Sequence, residues 1–209
     1  MIDMILIICR GKHMKPVLIF LIGSAGSGKS TIGKRLATEH HFCYLDKDVL
    51  CNTFTGKLLE TQGYSPHDRD GNGYYRDVVM DLEYETLLNV ANDNLQLGRS
   101  VILDAPFVGY FHKSDYIDEL VHKYGWDQVI PVVLRVDVNM DVLEQRLRNR
   151  GLERDRWKLE HWDTFVQGLK ANVCTWENVK LVSVDNSSEN LDLEQLTSQL
   201  PLAVTSLGS

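Results

Sequence analysis

The sequence has few cysteines, and none of them is placed to bind a metal or to build a disulfide framework. Cys9, Cys43, Cys51 and Cys174 are scattered over 209 residues without a CxxC pair, which argues against a zinc site and a disulfide-stabilised scaffold. We therefore expect a reducing, cytoplasmic compartment and thiols that are buried or incidental rather than catalytic.

Long apolar segments and an excess of positive charge are also absent. The apolar run Met4–Cys9 is too short to span a bilayer, and the N-terminus lacks the leading charge and the cleavage site of a signal peptide. With 22 Lys and Arg against 29 Asp and Glu, the net charge is −7, which disfavours general binding to nucleic acids or membranes. We expect an N-terminal extension over 1–13, with Met14 as an alternative start, and a single domain over 14–209.

Apolar runs alternate with helical patterns along that domain. Buried strands are predicted at Pro16–Ile22, His41–Leu45, Ser100–Ala105, Val129–Val136 and Val179–Val184. Helices are predicted at Ser30–His40, Val49–Leu59, Tyr74–Leu97, Lys113–Tyr124, Met140–Arg150, Trp157–Ala171 and Leu191–Leu200. This alternation predicts an α/β fold, a three-layer α/β/α arrangement with a five-stranded parallel sheet.

A glycine-rich segment between the first strand and the first helix carries the strongest functional signal. Its sequence, GSAGSGKS, matches GxxxxGK[ST] at every fixed position and lies between a strand and a helix, as this phosphate-binding loop requires. The loop amides would cradle a phosphate, Lys29 would reach the β- and γ-phosphates, and Ser30 would ligate Mg²⁺. We predict ATP and Mg²⁺ as cofactors, and nucleotide contacts from Gly23, Ser24, Ala25, Gly26, Ser27, Gly28, Lys29, Ser30 and Thr31.

Other nucleotide-binding classes fit the sequence less well. The strand ending at Asp104 is followed by Ala105, where mechanical ATPases have Glu, and neither an NKxD nor an LSGGQ-type motif is present. A small phosphotransferase is the class that remains.

The second predicted strand ends in two carboxylates, Asp46 and Asp48. Ligands of such sheets bind at the carboxyl ends of the strands, where a carboxylate can take the proton of an attacking hydroxyl. Asp48 is the predicted base, and Asp46 is its rival for that role. The alternative for Asp48 is the N-cap of a helix that begins at Val49.

These segments together resemble the small P-loop kinases related to nucleoside monophosphate kinases. The resemblance is closest to the AAA_33-type predicted kinases, a group with polynucleotide 5′-kinase domains, zeta-toxin-like kinases and chloramphenicol phosphotransferase. The matching segments are GSAGSGKST (Gly23–Thr31), LDKDVL (Leu45–Leu50), VILDAPF (Val101–Phe107), RLRNRGLERDRWK (Arg146–Lys158) and VDNS (Val184–Ser187).

The resemblance implies roles for residues outside the glycine-rich loop. In relatives, an aspartate at the end of the second strand is the base, which matches Asp48. The segment that follows the last strand lies near the adenine, which points to Asp185. Asp104 would be a second-shell partner of Mg²⁺ or an alternative acid or base.

The resemblance also implies an arginine-rich lid over about 146–158. Arg146 and Arg150 share a helix face and would meet the adenine and a phosphate, while Arg154 and Arg156 would cover the transferring phosphoryl group. Guanidinium groups suit the charge that spreads over phosphoryl oxygens, and Gly151 would act as the hinge. The alternative is an exposed basic helix face, which is our interpretation of Arg148.

Two further segments allow two interpretations each. The turn Asp68–Gly73 begins like a calcium loop but has Val79 where Glu is needed; it leads into Tyr74–Arg76, which would face the acceptor or simply pack. Trp157 and Trp162 would stack on a base or pack in the core, and packing is favoured.

We expect a kinase that moves the γ-phosphate of ATP to a hydroxyl of an unidentified small-molecule acceptor, as a monomer or a homodimer. Its predicted catalytic residues are Lys29, Asp48, Arg150, Arg154 and Arg156. The alternatives are a nucleotide-binding regulatory ATPase without an acceptor and a polynucleotide 5′-hydroxyl kinase, which the negative charge disfavours.

Overall fold

The computed structural model describes residues 15–69, 71–188 and 191–202, without the side chain of Arg154. The predicted extension 1–13 and Met14 lie outside these ranges. The strands are β1 Val17–Ile22, β2 Cys43–Asp46, β3 Val101–Asp104, β4 Ile130–Asp137 and β5 Lys180–Asp185.

The five strands form one parallel sheet in the order β2-β3-β1-β4-β5. β1 lies at the centre and is buried along its whole length, because helices cover both faces of the sheet. Leu18 and Phe20 pack into the core on one face, whereas Ile19 and Leu21 pack into the core on the other. The predicted α/β class and the five-stranded parallel sheet are confirmed.

The helices are α1 Lys29–His40, α2 Lys47–Thr61, α3 Met80–Gln96, α4 Tyr116–Tyr124, α5 Met140–Arg150, α6 Arg156–Glu160, α7 Trp162–Ala171 and α8 Leu193–Gln199. Residues of α3 and α4 belong to the core on one face of the sheet, and residues of α1 and α8 to the core on the other. None of the helices in the described ranges is both long enough and apolar enough to cross a membrane.

Two predicted helices are interrupted or irregular in the structure. The single helix predicted over Trp157–Ala171 is divided into α6 and α7, because His161 leaves the helical conformation with φ −123° and ψ 45°. The predicted helix Tyr74–Leu97 begins with a π-helical turn, Tyr75–Val79, before α3.

The buried face of the predicted helix Tyr74–Leu97 does not include all of its apolar residues. Val78 and Leu82 are 44% and 51% exposed. Glu83 is buried instead, one helical turn from Val79 and one from Leu87. A carboxylate therefore occupies the middle of the core-facing stripe.

The described cysteines, Cys43, Cys51 and Cys174, are free thiols. Burial raises the pKa of each of them, so the nucleophilic thiolate is disfavoured at neutral pH. Their environment agrees with a packing role.

Helix α1 approaches the sheet closely at Gly33. A Cβ atom there would lie 2.6 Å from Leu21 Cδ2 and 2.8 Å from Tyr44 Cε2, so Gly33→Ala should lower the free energy of unfolding by about 1–3 kcal/mol. The matched control is Gly168→Ala in α7, where a Cβ has no neighbour within 4 Å. This substitution should raise the free energy of unfolding by about 0.5–1 kcal/mol, because alanine has the higher helix propensity. Urea denaturation of both variants measures the difference, and equal effects would contradict the close approach.

Candidate active site

The glycine-rich loop joins β1 to α1 and is held by its own polar groups. Lys29 Nζ donates a hydrogen bond to the Ser24 carbonyl at 2.8 Å, and Ser27 N donates to the same oxygen at 3.2 Å. Ser27 Oγ is buried and has no hydrogen-bond partner among the described residues. A buried donor without a partner is costly, and a ligand in the loop would satisfy it.

The segment after β5 forms one wall of this loop. Asn186 Nδ2 donates to the Ser27 carbonyl at 2.7 Å, and Gly28 adopts the left-handed φ of 92°. A Cβ on Gly28 would lie 2.2 Å from Asn186 Nδ2 and 4.0 Å from Arg146 Nη1. Arg146 Nη1 is itself buried without a hydrogen-bond partner in the described ranges. A guanidinium group with an unsatisfied donor therefore lies beside the loop, as expected for a residue that meets a nucleotide.

Lys29 lies where several charged residues converge. Burial lowers the pKa of its ammonium group, and the negative charges of Asp104, Asp48 and Asp46 oppose this effect by raising it. The positive charge of Arg150 acts in the same direction as burial. The charges of both candidate bases and of one arginine of the predicted lid thus act on the lysine that is predicted to bind phosphate.

Asp46 and Asp104 end neighbouring strands and are direct partners in the register of β2 and β3. Asp46 is the N-cap of α2, since its Oδ1 accepts from Asp48 N at 2.9 Å and from Val49 N at 3.2 Å. The alternative interpretation of Asp48 as the cap is therefore wrong, because α2 begins two residues earlier than predicted. Desolvation by burial raises the pKa of Asp46.

Asp48 lies in the first turn of α2 and is partly exposed. Its Oδ1 is 3.7 Å from Lys47 Nζ and 3.6 Å from Arg69 Nη1. Asp46 is engaged by the helix end, whereas Asp48 is the candidate base with two cations beside it.

Tyr44 links the two residues of the predicted metal site, Ser30 and Asp104. Its hydroxyl donates to Asp104 Oδ2 at 2.5 Å and interacts with the Ser30 hydroxyl. Burial and the Asp104 carboxylate raise the pKa of Tyr44, which keeps it a donor. The hydroxyl of Ser30 and the carboxylate of Asp104 carry the oxygen atoms that Mg²⁺ prefers. Tyr44 was not predicted from the sequence to belong to the site.

The arginines of the predicted lid have different environments. Arg148 pairs with Glu144 one turn away at 2.5 Å and is exposed, as expected for a residue outside the site. Arg150 makes a two-pronged contact with the buried carboxylate of Asp155, at 2.5 and 2.7 Å. Arg156 is exposed and pairs with Glu160 at 2.8 Å. The prediction for Arg154 concerns a side chain outside the described part of the structure.

The segment predicted near the adenine borders an open cleft of about 450 Å³, which is lined by Asp137, Val138, Asn139, Asp185 and Ser187. Asp185 Oδ1 accepts hydrogen bonds from the backbone and hydroxyl of Ser187, at 2.9 and 2.5 Å, and these bonds lower its pKa. Asn186, rather than Asp185, makes the contact with the glycine-rich loop.

A buried polar group around Glu83, near Asp48, was not predicted from the sequence. Glu83 is in contact with Lys47, Thr55 and Tyr75. The sequence contained one sign of this, because Glu83 lies on the same helix face as the apolar Val79 and Leu87. Tyr75, predicted to face the acceptor or to pack, thus binds Glu83. Its neighbour Arg76 is exposed and pairs with Asp77 at 2.7 Å.

The two tryptophans also differ. Trp162 packs against the apolar cluster between α5 and α7, as favoured. Trp157 is 43% exposed and stacks on His161 with ring centres 5.1 Å apart.

The glycine-rich loop at the centre of a parallel α/β sheet defines a P-loop nucleotide-binding protein. The model of the AAA_33 family, described as an AAA domain, matches residues 18–171. The chain belongs to this family and, with it, to the small P-loop kinases.

Individual relatives support this placement. A shikimate kinase from Gloeobacter violaceus is 32% identical over 103 residues, 47% of this chain and 53% of that protein, so the match spans about half of the relative. A shikimate kinase from Rippkaea orientalis is 27% identical over 187 residues, 86% of this chain and 76% of that protein. The structure of a protein described as a kinase from Chloroflexus aurantiacus superposes with a TM-score of 0.58 at 22% identity, over 88% of this chain and 93% of that one. At that identity the structural likeness concerns the fold alone.

The close approach of Asn186 to Gly28 can be tested directly. Gly28→Ala should weaken ATP binding at least about tenfold, because the new methyl group collides with Asn186 and strains a left-handed residue. Gly125→Ala is the matched control, since Gly125 has φ 66° and open space around its Cβ position. Calorimetric titration with ATP should give a weaker affinity for Gly28→Ala than for Gly125→Ala. Equal affinities would contradict a role for the close approach of Asn186 in nucleotide binding.

Proposed function

We propose that residues 14–209 form a single kinase domain that transfers the γ-phosphate of ATP, with Mg²⁺, to a hydroxyl of a small-molecule acceptor. The observation that carries this proposal is the register at the carboxyl edge of the sheet. Asp104 of β3 pairs with Leu21 of β1, which leads into the loop with Lys29, and with Asp46 of β2, which leads to Asp48. A phosphate-binding lysine and a proton acceptor at one edge of the sheet are what hydroxyl phosphorylation needs.

The residues present fit a nucleotide and its metal. Ser27 Oγ and Arg146 Nη1, which have no hydrogen-bond partner among the described residues, offer donors to phosphate oxygens. The cleft beside Asp185 offers room for the adenine ring of the nucleotide. Ser30 would bind Mg²⁺ directly, and Asp104 would lie near the ion without binding it directly. When bound, the ion neutralises charge on the phosphate oxygens.

The chain's own residues account for the chemical step. The Asp48 carboxylate takes the proton of the acceptor hydroxyl, whose oxygen forms a bond to the γ-phosphorus while the bond to the leaving ADP oxygen breaks. Lys29 and Arg150 bring positive charge to the phosphoryl oxygens. Arg154 and Arg156 are proposed to join them from the lid, for which Arg156 would exchange Glu160 for phosphate.

A small acceptor is supported by the names of the relatives and by charge. The Gloeobacter and Rippkaea proteins are shikimate kinases, and shikimate is a small hydroxylated molecule. The net charge of −7 does not favour a polynucleotide end.

Lys29→Ala should lower ATP-dependent phosphorylation by at least about a hundredfold, because it removes a preorganised charge from the transferring group. A coupled assay of ADP release, run over a library of hydroxylated small molecules and 5′-hydroxyl oligonucleotides, measures this and finds the acceptor. Transfer to oligonucleotides alone would favour a polynucleotide 5′-hydroxyl kinase. ATP binding without transfer to any acceptor would favour a nucleotide-binding regulatory ATPase. Undiminished turnover in Lys29→Ala would contradict the site itself.

Asp48→Asn should leave the dissociation constant of ATP within about twofold while phosphotransfer falls by about 10²–10⁴, the contribution of a general base. Asp46→Asn is the matched comparison, since asparagine preserves the cap of α2 and should retain most of the activity. The opposite ranking of the two variants would make Asp46 the base.

A further inference from the structure

Next to Asp48 lies a group of five side chains that no proposed step uses, here called the Glu83 cluster: Lys47, Thr55, Arg69, Tyr75 and Glu83. Lys47 and Thr55 belong to α2, Tyr75 to the π-helical turn and Glu83 to α3, and Arg69 precedes the π-helical turn. Glu83 is at the centre, with only 2% of its side chain exposed.

Both oxygens of Glu83 are engaged. Oε1 accepts from Thr55 Oγ1 at 2.5 Å and lies 3.6 Å from Arg69 Nη2. Oε2 accepts from Tyr75 Oη at 2.8 Å and from the buried Lys47 ammonium. A buried carboxylate needs this degree of compensation, and its charge holds two cations in place.

The same two cations extend to the proposed base. Lys47 Nζ lies 3.7 Å and Arg69 Nη1 lies 3.6 Å from one oxygen of Asp48, Oδ1. Arg69 is fixed further by a hydrogen bond to Asn52 Oδ1 at 2.7 Å and by stacking on the Tyr75 ring. One face of the Asp48 carboxylate is thus set by groups that are themselves anchored on Glu83.

We propose that Glu83 is a positioning residue for phosphotransfer, which orients the Asp48 carboxylate through Lys47 and Arg69. The proposal rests on the proposed role of Asp48 as the base. Glu83 exchanges no proton with the acceptor; the proton moves from the attacking hydroxyl to Asp48 as described above. Because a general base acts only from a narrow range of positions, loss of this anchor should lower kcat without changing the affinity for ATP.

The test separates positioning from stability with a charge-neutral pair of substitutions. Glu83→Gln alone leaves the buried Lys47 with the more distant and partly exposed Asp48 as its counter-charge, and should destabilise the fold. Lys47→Met with Glu83→Gln removes both buried charges at similar volume, so its urea midpoint should return close to that of the unsubstituted chain. The full chain with Mg²⁺-ATP and water as the acceptor supplies the activity, read as phosphate release.

In the double variant we expect the rate of phosphate release to stay at least about tenfold low, with the dissociation constant of ATP unchanged. In an Asp48→Asn background, the same pair of substitutions should cause no further loss, since the effect runs through Asp48. Recovery of the full rate together with stability, or an additive loss in the Asp48→Asn background, would overturn the proposal. An unchanged rate in Asp48→Asn itself would instead overturn the base assignment, and this proposal with it.

Arg69→Gln provides a second route that leaves the Lys47–Glu83 pair intact. It removes one of the two contacts to Asp48 from a residue that is 20% exposed, and should lower the same rate by about tenfold. Glu85→Gln is the matched control on α3, since Glu85 is exposed and pairs only at the surface with Lys123, at 3.6 Å. A rate equal to that of this control in a folded Arg69→Gln variant would contradict the proposal.

Discussion

The candidate site depends on one electrostatic constraint, the placement of the Lys29 ammonium in surroundings that desolvate it. Desolvation of a cation has to be compensated by nearby negative charge, and the carboxyl edge of the sheet supplies that charge. The register of β2 and β3 sets Asp46 beside Asp104, and the first turn of α2 adds Asp48. The parallel order of the strands therefore gathers the carboxylates where the glycine-rich loop brings the lysine.

The three carboxylates of the site are each held by further polar groups. Asp46 is engaged by the start of α2, Asp104 by Tyr44, and Asp48 by two cations that share the buried Glu83. Each carboxylate of the site is thus oriented by a different kind of partner: backbone amides, a phenol or a pair of cations. These differences give three chemically identical side chains different surroundings: Asp46 caps a helix, while Asp104 and Asp48 have the proposed roles of a metal neighbour and a proton acceptor.

The arginine-rich segment shows how partners divide a uniform pattern. Arg148 and Arg156 are exposed and pair with glutamates one helical turn away, whereas Arg150 is locked on the buried Asp155. Arg146 keeps a buried nitrogen without a partner in the described ranges, next to the glycine-rich loop. The sequence pattern predicts Arg146, Arg150 and Arg156 in one lid and leaves Arg148 outside it. In the structure, Arg146 lies beside the loop, and the charge of Arg150 acts on Lys29.

The amino-acid sequence alone determined the class of fold, the glycine-rich loop and the edge of the sheet where the site lies. Those features depend on local periodicity and on fixed spacings, which a single chain displays. Only the tertiary structure decided that Asp46 rather than Asp48 caps α2, and that Glu83 is a buried anchor instead of a surface charge. The physical reason is that capping and burial depend on which groups face a residue across the fold. Glu83 meets Lys47 from 36 positions away, and local periodicity does not encode that distance.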